Sequence, residues 1–181
     1  MKKILIFTIL LTSLCSYAGT EIVIQTSMGT IEVELFDKTS KESVRNFLQY
    51  IDEDFYTNTL IHRVIKDYII QGGGLDINFD EKKTHPQIKN EALNMTKNLK
   101  GTIAMARKRP KHSAKSEFYF NLKDNPNLDH RGLGNYGYAV FGKITKGFDV
   151  ALKIGNVPIA RKGLYKKVPN KPVIIKSITR K

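Results

Sequence analysis

The sequence contains no tryptophan and a single cysteine, Cys15. One cysteine cannot form an intramolecular disulfide, and it supplies neither a CxxC redox pair nor a cysteine-rich zinc site. No apolar run reaches the roughly 20 residues that are needed to span a bilayer. Acidic residues are scarce beside basic ones, 17 against 30, which gives a formal net charge of +13. With 41% hydrophobic and 26% charged residues among 181, the chain is expected to fold as one globular domain.

Residues 1–18 have the three parts of a secretory signal peptide. A short cationic start precedes an apolar run over Ile4–Leu14, and Ser16–Ala18 places small residues at the ends of a cleavage motif. A buried N-terminal strand or helix is one alternative, and a lipid anchor on Cys15 is another, although a leucine stands where such an anchor prefers a small residue. We therefore predict a mature domain over 19–181 that is exported to the periplasm, with secretion as the alternative.

The basic excess has a different meaning in an exported protein than in a cytoplasmic one. Nucleic acid is scarce outside the cytoplasm, so no nucleic-acid partner is expected, and acidic substrates or anionic envelope surfaces are favoured instead. The densest basic run is Arg107–Lys111. It is either a polyanion-binding patch or a solvated loop, since charge runs are usually exposed.

Hydrophobic periodicity predicts many short strands and two helices. Apolar and polar residues alternate on both sides of Ser27–Gly29, which indicates a hairpin. Thr39 and Glu42 have capping-box spacing before an apolar stripe, which predicts a helix over residues 40–53. Further strands are expected near 60–65, 68–71, 102–106, 118–122, 138–144 and 173–178, and a second helix over 148–154. No βαβ alternation is present, so an antiparallel barrel or sandwich with helical caps is favoured.

Common catalytic motifs are missing or lie in the wrong context. Gly132–Gly137 matches G-x-G-x-x-G, but a strand pattern follows it where a dinucleotide site needs a helix, so it is interpreted as a glycine-rich loop. The four histidines lack metal-ligand spacing, and no metal or other cofactor is expected. The mature domain has no cysteine and no G-x-S-x-G elbow. An enzyme of this sequence would have to work without covalent chemistry.

Five sequence blocks resemble the cyclophilin-type peptidyl-prolyl isomerases. IHRVIKDYIIQGG over Ile61–Gly73 is similar to the family signature FHRVI-x-x-F-M-x-QGG. Four further blocks follow in the family's order: Gly101–Ala106, Ser116–Phe120, Leu128 to Ile144, and Val168–Val173, the last similar to exported bacterial members. The resemblance covers residues 21–178. It implies a mainly β fold, a closed eight-stranded antiparallel β-barrel capped by two α-helices, and isomerisation of X–Pro bonds in proline-containing polypeptides.

The resemblance also implies roles for individual residues. Arg63 matches the catalytic arginine, which would stabilise the twisted amide. Gln71 and Glu117 match polar residues that orient the arginine and bind substrate backbone. The substrate surface maps onto Tyr68, Ile69, Tyr119 and Leu128 in a proline pocket, Ala106 and Arg107 in an adjoining groove, and Tyr138 at the pocket rim. Strand alternation sends His62 to the face opposite Arg63, so a structural role is predicted for it.

Four kinds of substitution distinguish this chain from the family pattern. They are Glu117 for glutamine, Tyr68 and Tyr119 for phenylalanine, Ile69 for methionine, and Asn127 for an aromatic residue. A carboxylate at position 117 would either hold Arg63 bidentately and reduce its availability or orient it better, and both alternatives stay open here. The new hydroxyls and amide predict a more polar pocket with reduced or altered proline affinity.

The leading interpretation is a monomeric isomerase that assists the folding of exported proteins. Its first rival is a non-catalytic proline-peptide-binding module, or a holdase chaperone, that uses the same groove, because a fold does not by itself fix a function. A second rival is an extracellular polyanion-binding protein that uses residues 107–111.

Overall fold

The computed structural model describes residues 19–181, and the predicted signal peptide lies outside the described residues. The elements are β1 (Glu21–Thr26), β2 (Gly29–Leu35), α1 (Lys41–Asp52), β3 (Thr59–Ile65), β4 (Ile69–Asp76), β5 (Thr102–Met105), β6 (Phe118–Asn121), β7 (Val140–Lys146), α2 (Phe148–Gly155), β8 (Ile159–Lys162), β9 (Tyr165–Pro169) and β10 (Ile174–Arg180). Short 3-10 turns occupy Ala92–Asn94 and Pro126–Leu128. No helix within 19–181 is long and apolar enough to cross a membrane.

Eight of the strands close into an antiparallel barrel in the order β1-β10-β3-β4-β6-β5-β7-β2. The predicted eight-stranded barrel with two helices is therefore confirmed. Closure pairs both edges of every barrel strand, so no open sheet edge remains in the barrel. The order also places β3, β4 and β6 side by side, and this adjacency positions the candidate site.

The β1–β2 hairpin shows how alternation determines the register. Ile22 pairs with Val33, and Ile24 pairs with Ile31, so all four side chains share the buried face. The turn needs Gly29, whose φ is +135°. A Cβ at this position would lie 2.8 Å from a methyl group of Val150, so helix α2 can pack closely there only against glycine.

The core is centred on Phe47, a fully buried residue of α1. Its ring lies 5.0 Å from the ring of Tyr56, 5.3 Å from that of Phe118 and 5.0 Å from that of Phe141. These tilted and edge-to-face contacts join the helix to β6 and β7. The barrel interior is thus filled by side chains, and a substrate must bind on an outer surface.

The predicted capping box at Thr39 and Glu42 is wrong. Ser40 is the N-cap residue of α1, and it makes no side-chain cap hydrogen bond. Glu91 accepts hydrogen bonds from the backbone N–H groups of Glu42 (3.0 Å) and Ser43 (2.7 Å). A carboxylate from a segment that is distant in sequence therefore caps the positive N-terminal end of α1. A local sequence pattern cannot predict such a contact.

The β8–β9 hairpin lies outside the barrel and was not predicted. Its strands pair from Ile159 with Pro169 to Lys162 with Tyr165, and β9 lies against β3. All four residues of β8 are exposed, so the strand carries no alternating pattern of buried residues.

Candidate active site

Strand register brings three predicted site residues into one row. Gln71 on β4 pairs with Arg63 on β3 and with Tyr119 on β6. Directly paired residues of antiparallel strands share a face, so these side chains are neighbours. Glu117 joins them at the start of β6, where its carbonyl accepts a hydrogen bond from the Ala106 N–H (2.9 Å).

A chain of side-chain hydrogen bonds runs along this row. Arg63 Nη1 donates to Gln71 Oε1 at 3.0 Å, and Gln71 Nε2 donates to Glu117 Oε2 at 2.7 Å. Within residues 19–181, Arg63 forms no ion pair with Glu117. Glu117 therefore does not hold Arg63 bidentately, which was one of the two alternatives that the sequence left open. The carboxylate instead acts on the arginine through Gln71.

The charges at the two ends determine which way the Gln71 amide points. An ionised carboxylate only accepts hydrogen bonds, so Glu117 holds the NH₂ side of Gln71, and the amide oxygen must face the guanidinium. Both bonds have a charged partner, and such bonds are roughly twice as strong as neutral ones. Arg63 uses one N–H in this way while its side chain stays exposed, and its other N–H groups are free of partners within 19–181.

His62 lies beneath this chain of hydrogen bonds. It is 6% exposed while Arg63 is exposed, so strand alternation separates the two side chains as predicted. Its Nε2 lies 3.6 Å from Glu117 Oε2, and its buried Nδ1 makes no hydrogen bond within the described residues. Burial lowers the pKa of His62, and the opposing attraction of Glu117 does not restore it. The ring is therefore neutral at pH 7.

An apolar cluster lies beside the arginine. It unites the predicted pocket residues with the groove and rim residues, namely Tyr68, Ile69, Tyr119, Leu128, Ala106 and Tyr138. Phe36, Ile65, Ala104 and Val140 complete it and were not predicted. The cluster draws residues from the five neighbouring strands β3, β4, β5, β6 and β7 and from the loops next to them. Its partly buried members, among them Tyr68, Leu128 and Tyr138, expose part of their apolar surface.

Both pocket hydroxyls have partners. Tyr119 is 2% exposed, and its hydroxyl donates to Asn98 Oδ1 at 2.7 Å. Burial raises the pKa of Tyr119 well above 10.0, so the phenol stays neutral. The Tyr68 hydroxyl accepts from Asn127 Nδ2 at 2.7 Å. Two departures from the family pattern, at positions 68 and 127, thus satisfy each other.

Arg107 links the groove to Tyr138 at the pocket rim. Its guanidinium carbon lies 4.6 Å from the centre of the Tyr138 ring, and its Nε donates to the Gly137 carbonyl at 2.9 Å. Its Nη1 donates to the Lys108 carbonyl at 3.1 Å. The Tyr138 ring in turn meets the Tyr119 ring edge-on, 5.8 Å between centres. Arg107 is therefore engaged by the protein itself, and its charge is less free for substrate than the sequence suggested.

A side cavity of about 220 Å³ opens beside Gln71 and Glu117. Ala106 and Arg107 line it, together with Lys108 from the basic run and the nearby Lys115. Glu81 and Lys82 also line it and were not predicted, because they come from a distant segment that no local motif links to the basic run. Within 19–181 no group of three or more His, Cys, Asp or Glu side chains could hold a metal ion.

The barrel topology and an arginine beside an apolar pocket define the class of proteins to which this chain is related. Residues 21–180 match the family model described as cyclophilin type peptidyl-prolyl cis-trans isomerase/CLD. A Cryptosporidium parvum cyclophilin, crystallised in the presence of the dipeptide Ala-Pro, superposes with a TM-score of 0.73 at 26% identity, over 89% of this chain and 98% of that one.

Bacterial relatives are more similar in sequence. The chain is 43% identical to peptidyl-prolyl cis-trans isomerase A of Dickeya dadantii, over 97% of this chain and 96% of the relative. It is 44% identical to peptidyl-prolyl cis-trans isomerase B of Escherichia coli, over 87% and 98%. The chain belongs to the cyclophilin-type peptidyl-prolyl cis-trans isomerase family, and it is an enzyme of that activity.

The lowered pKa of His62 gives a prediction for stability. Protonating the buried ring favours the unfolded chain, so its stabilising contribution is complete above pH 6.5 and is lost as the pH falls through the lowered pKa. We expect His62→Gln to make the decline of the free energy of unfolding below pH 6.5 shallower. Urea unfolding followed by circular dichroism at several pH values measures it. The exposed His112→Gln variant is the control, and equal slopes in all three proteins would contradict the assignment.

Gly74 gives a prediction for the hydrogen-bonded chain. A Cβ at this position would lie 2.5 Å from Glu117 Cγ, so Gly74→Ala must displace Glu117. We expect kcat/KM to fall about 10-fold to 100-fold, the size of effect that a small misplacement of catalytic groups has. A protease-coupled proline-peptide assay measures it, with unfolding curves to confirm the fold. Gly134→Ala is the matched control, since a Cβ there meets nothing within 4 Å. Unchanged kcat/KM for Gly74→Ala would contradict the role of Glu117.

Proposed function

We propose that this enzyme accelerates X–Pro rotation in proteins that pass through the periplasm, with Arg63 stabilising the twisted amide. The observation that carries the mechanism is an exposed guanidinium tied to Gln71 beside an apolar cluster. The N-terminal pattern over residues 1–18 supports the exported setting. Mass spectrometry of the mature N-terminus tests that setting, and an uncut Met1 in exported material would oppose it.

The chemical difficulty lies in the amide itself. Partial double-bond character gives the X–Pro bond a rotation barrier of about 18–20 kcal/mol, and uncatalysed exchange takes roughly 10–100 s. In the twisted transition state the amide resonance is lost, so the proline nitrogen becomes a better hydrogen-bond acceptor. A donor aimed at that nitrogen binds the twisted form more strongly than either planar form, and this difference in binding lowers the barrier.

The site supplies such a donor in a fixed position. Arg63 needs no rearrangement when substrate arrives, because Gln71 already holds one of its N–H groups. Its remaining N–H groups point away from any partner within 19–181 and are available to the substrate. Each 1.36 kcal/mol of preference for the twisted amide gives about tenfold in rate. No proton transfer or covalent step is required.

The apolar cluster supplies the proline pocket. Ile69 and Tyr119 are 4% and 2% exposed, so the pocket floor is rigid, while Tyr68 and Leu128 are half-buried and remain reachable. The relative crystallised in the presence of Ala-Pro supports a proline-containing polypeptide as the substrate class. With both tyrosine hydroxyls already bonded, the ring faces and edges are the contacts left for proline.

Removing the guanidinium should abolish the acceleration and leave the pocket intact. We expect Arg63→Ala to lower kcat/KM by about 100-fold to 1000-fold, as loss of one preorganised donor does elsewhere. Arg63→Lys should recover little, because an ammonium lacks the planar fork that fits Gln71 and substrate together. The protease-coupled assay gives the rates, and calorimetry with a proline peptide gives the affinity. Wild-type rates in Arg63→Ala would contradict the mechanism and favour a pocket that acts by binding alone.

The side cavity extends the proposal to substrate choice. Lys82, Lys108 and Lys115 line it, so peptides with acidic residues beside the proline should gain from local attraction. At low salt we expect Glu-flanked peptides to turn over faster than Lys-flanked peptides, and salt should reduce the difference. Lys108→Gln with Lys115→Gln should reduce it as well, whereas the exposed Lys123→Gln should not. Equal rates at low salt would remove this preference from the account.

A further inference from the structure

The β8–β9 hairpin carries charge of one sign. The chain has no Asp or Glu after Asp149. The hairpin contributes four exposed cations, Arg161, Lys162, Lys166 and Lys167. None of these takes part in an ion pair within residues 19–181. Their positive charge is therefore not neutralised by the protein.

The polar contacts that the hairpin cations do make leave their charge exposed. Arg161 Nε donates to the Gly163 carbonyl at 3.0 Å, within the turn itself. Lys162 Nζ lies 3.8 Å from the centre of the Phe79 ring. Neither a carbonyl nor an aromatic ring cancels a full charge, and Lys166 and Lys167 extend the positive surface along β9.

An exposed leucine lies at the centre of these charges. Gly163 and Leu164 form the connection between Lys162 and Tyr165, the last pair of the hairpin. Leu164 is 90% exposed, and Ile159 on the same hairpin is 42% exposed. A large apolar side chain at the tip of a cationic turn is the composition of elements that bind at the interface of anionic membranes.

One side of the hairpin packs against the protein near the active site, and Tyr165 makes this contact directly beside the turn. The Tyr165 ring lies 6.3 Å from the His62 ring and 5.9 Å from the Phe79 ring, and Val168 is buried. Burial, together with the carboxylates of Glu81, Glu117 and Asp80, raises the pKa of Tyr165. Negative charge therefore acts on the inner side of the hairpin, and the tip beyond it is purely cationic.

We propose that the β8–β9 tip docks this protein on the surface of an anionic lipid bilayer. The four cations would hold headgroup phosphates, and Leu164 would enter the boundary between headgroups and acyl chains. Leu164 favours a lipid surface over nucleic acid, because an isolated apolar tip gains little from a phosphate backbone. Since Tyr165 contacts His62 next to Arg63, docking would bring the active site close to polypeptides that emerge at the membrane.

The absence of tryptophan from the sequence allows a direct test. In the full chain, Leu164→Trp places one fluorescent reporter at the tip. The emission of this tryptophan reports the surroundings of the tip and not those of residues 1–18. With vesicles of phosphatidylcholine and phosphatidylglycerol, we expect a blue shift of its emission that high salt suppresses. Vesicles of phosphatidylcholine alone should give little shift.

Charge variants and a second reporter supply the controls. In the Leu164→Trp protein, the further substitutions Lys166→Gln and Lys167→Gln should weaken binding to anionic vesicles about 25-fold. Each cation near an anionic surface contributes about fivefold to the affinity. Lys171→Gln with Lys176→Gln removes equal charge outside the hairpin and should have a much smaller effect. Leu133→Trp reports from a loop leucine that is 85% exposed, and it should not shift.

Three results would overturn the proposal. The first is no shift of the Leu164→Trp reporter with anionic vesicles. The second is an equal shift of the Leu133→Trp reporter, which would mean binding without use of the hairpin. The third is tight, salt-sensitive binding of DNA or an acidic peptide by the same lysines without a vesicle-induced shift, which would assign the cations to another macromolecule.

Discussion

The candidate site depends on one hydrogen-bonded chain with opposite charges at its ends. Glu117 fixes the Gln71 amide, and the amide fixes Arg63, at 2.7 and 3.0 Å. A free arginine side chain has several rotamers, and ordering it at the moment of catalysis would cost free energy. Here a hydrogen bond holds the guanidinium in the folded protein, because β3, β4 and the residue that precedes β6 place the three side chains side by side. In the proposed mechanism, the barrel contributes to catalysis as the support that keeps a donor in place.

The same rule of paired polar groups explains the unusual pocket. A buried hydroxyl without a partner costs about 1–3 kcal/mol, so tyrosine can replace phenylalanine only where a partner exists. Asn98 serves the buried Tyr119 hydroxyl in this way, and Asn127 donates to the hydroxyl of the half-buried Tyr68. The two tyrosines, which looked unfavourable for a proline pocket, therefore each have a hydrogen-bond partner for the added hydroxyl. What they change is rigidity and shape at the pocket, since each hydroxyl is held by a bond to another element.

Much of the fold was predictable because its strands alternate. Ile22, Ile24, Ile31 and Val33 mark the buried face of a hairpin, and the turn at Gly29 fixes which of them pair. The predicted site residues come from motifs that the barrel brings together, and their roles are those that the family resemblance implies. Contacts between distant segments were not predictable, as with Glu91 at the start of α1 or Lys82 in the side cavity. The β8–β9 hairpin was missed because β8 has no buried residue, so its sequence carries no period of two.

The central claim is that the guanidinium of Arg63 is held before substrate arrives. Side-chain NMR of isotope-labelled arginine in the substrate-free protein measures rotation about its Cζ–Nε bond directly. We expect slow, restricted rotation for Arg63, and faster rotation when Glu117→Ala releases Gln71. Rotation in the unsubstituted protein as fast as that of a solvent-exposed arginine would contradict it, because the donor would then have to be ordered by the substrate itself.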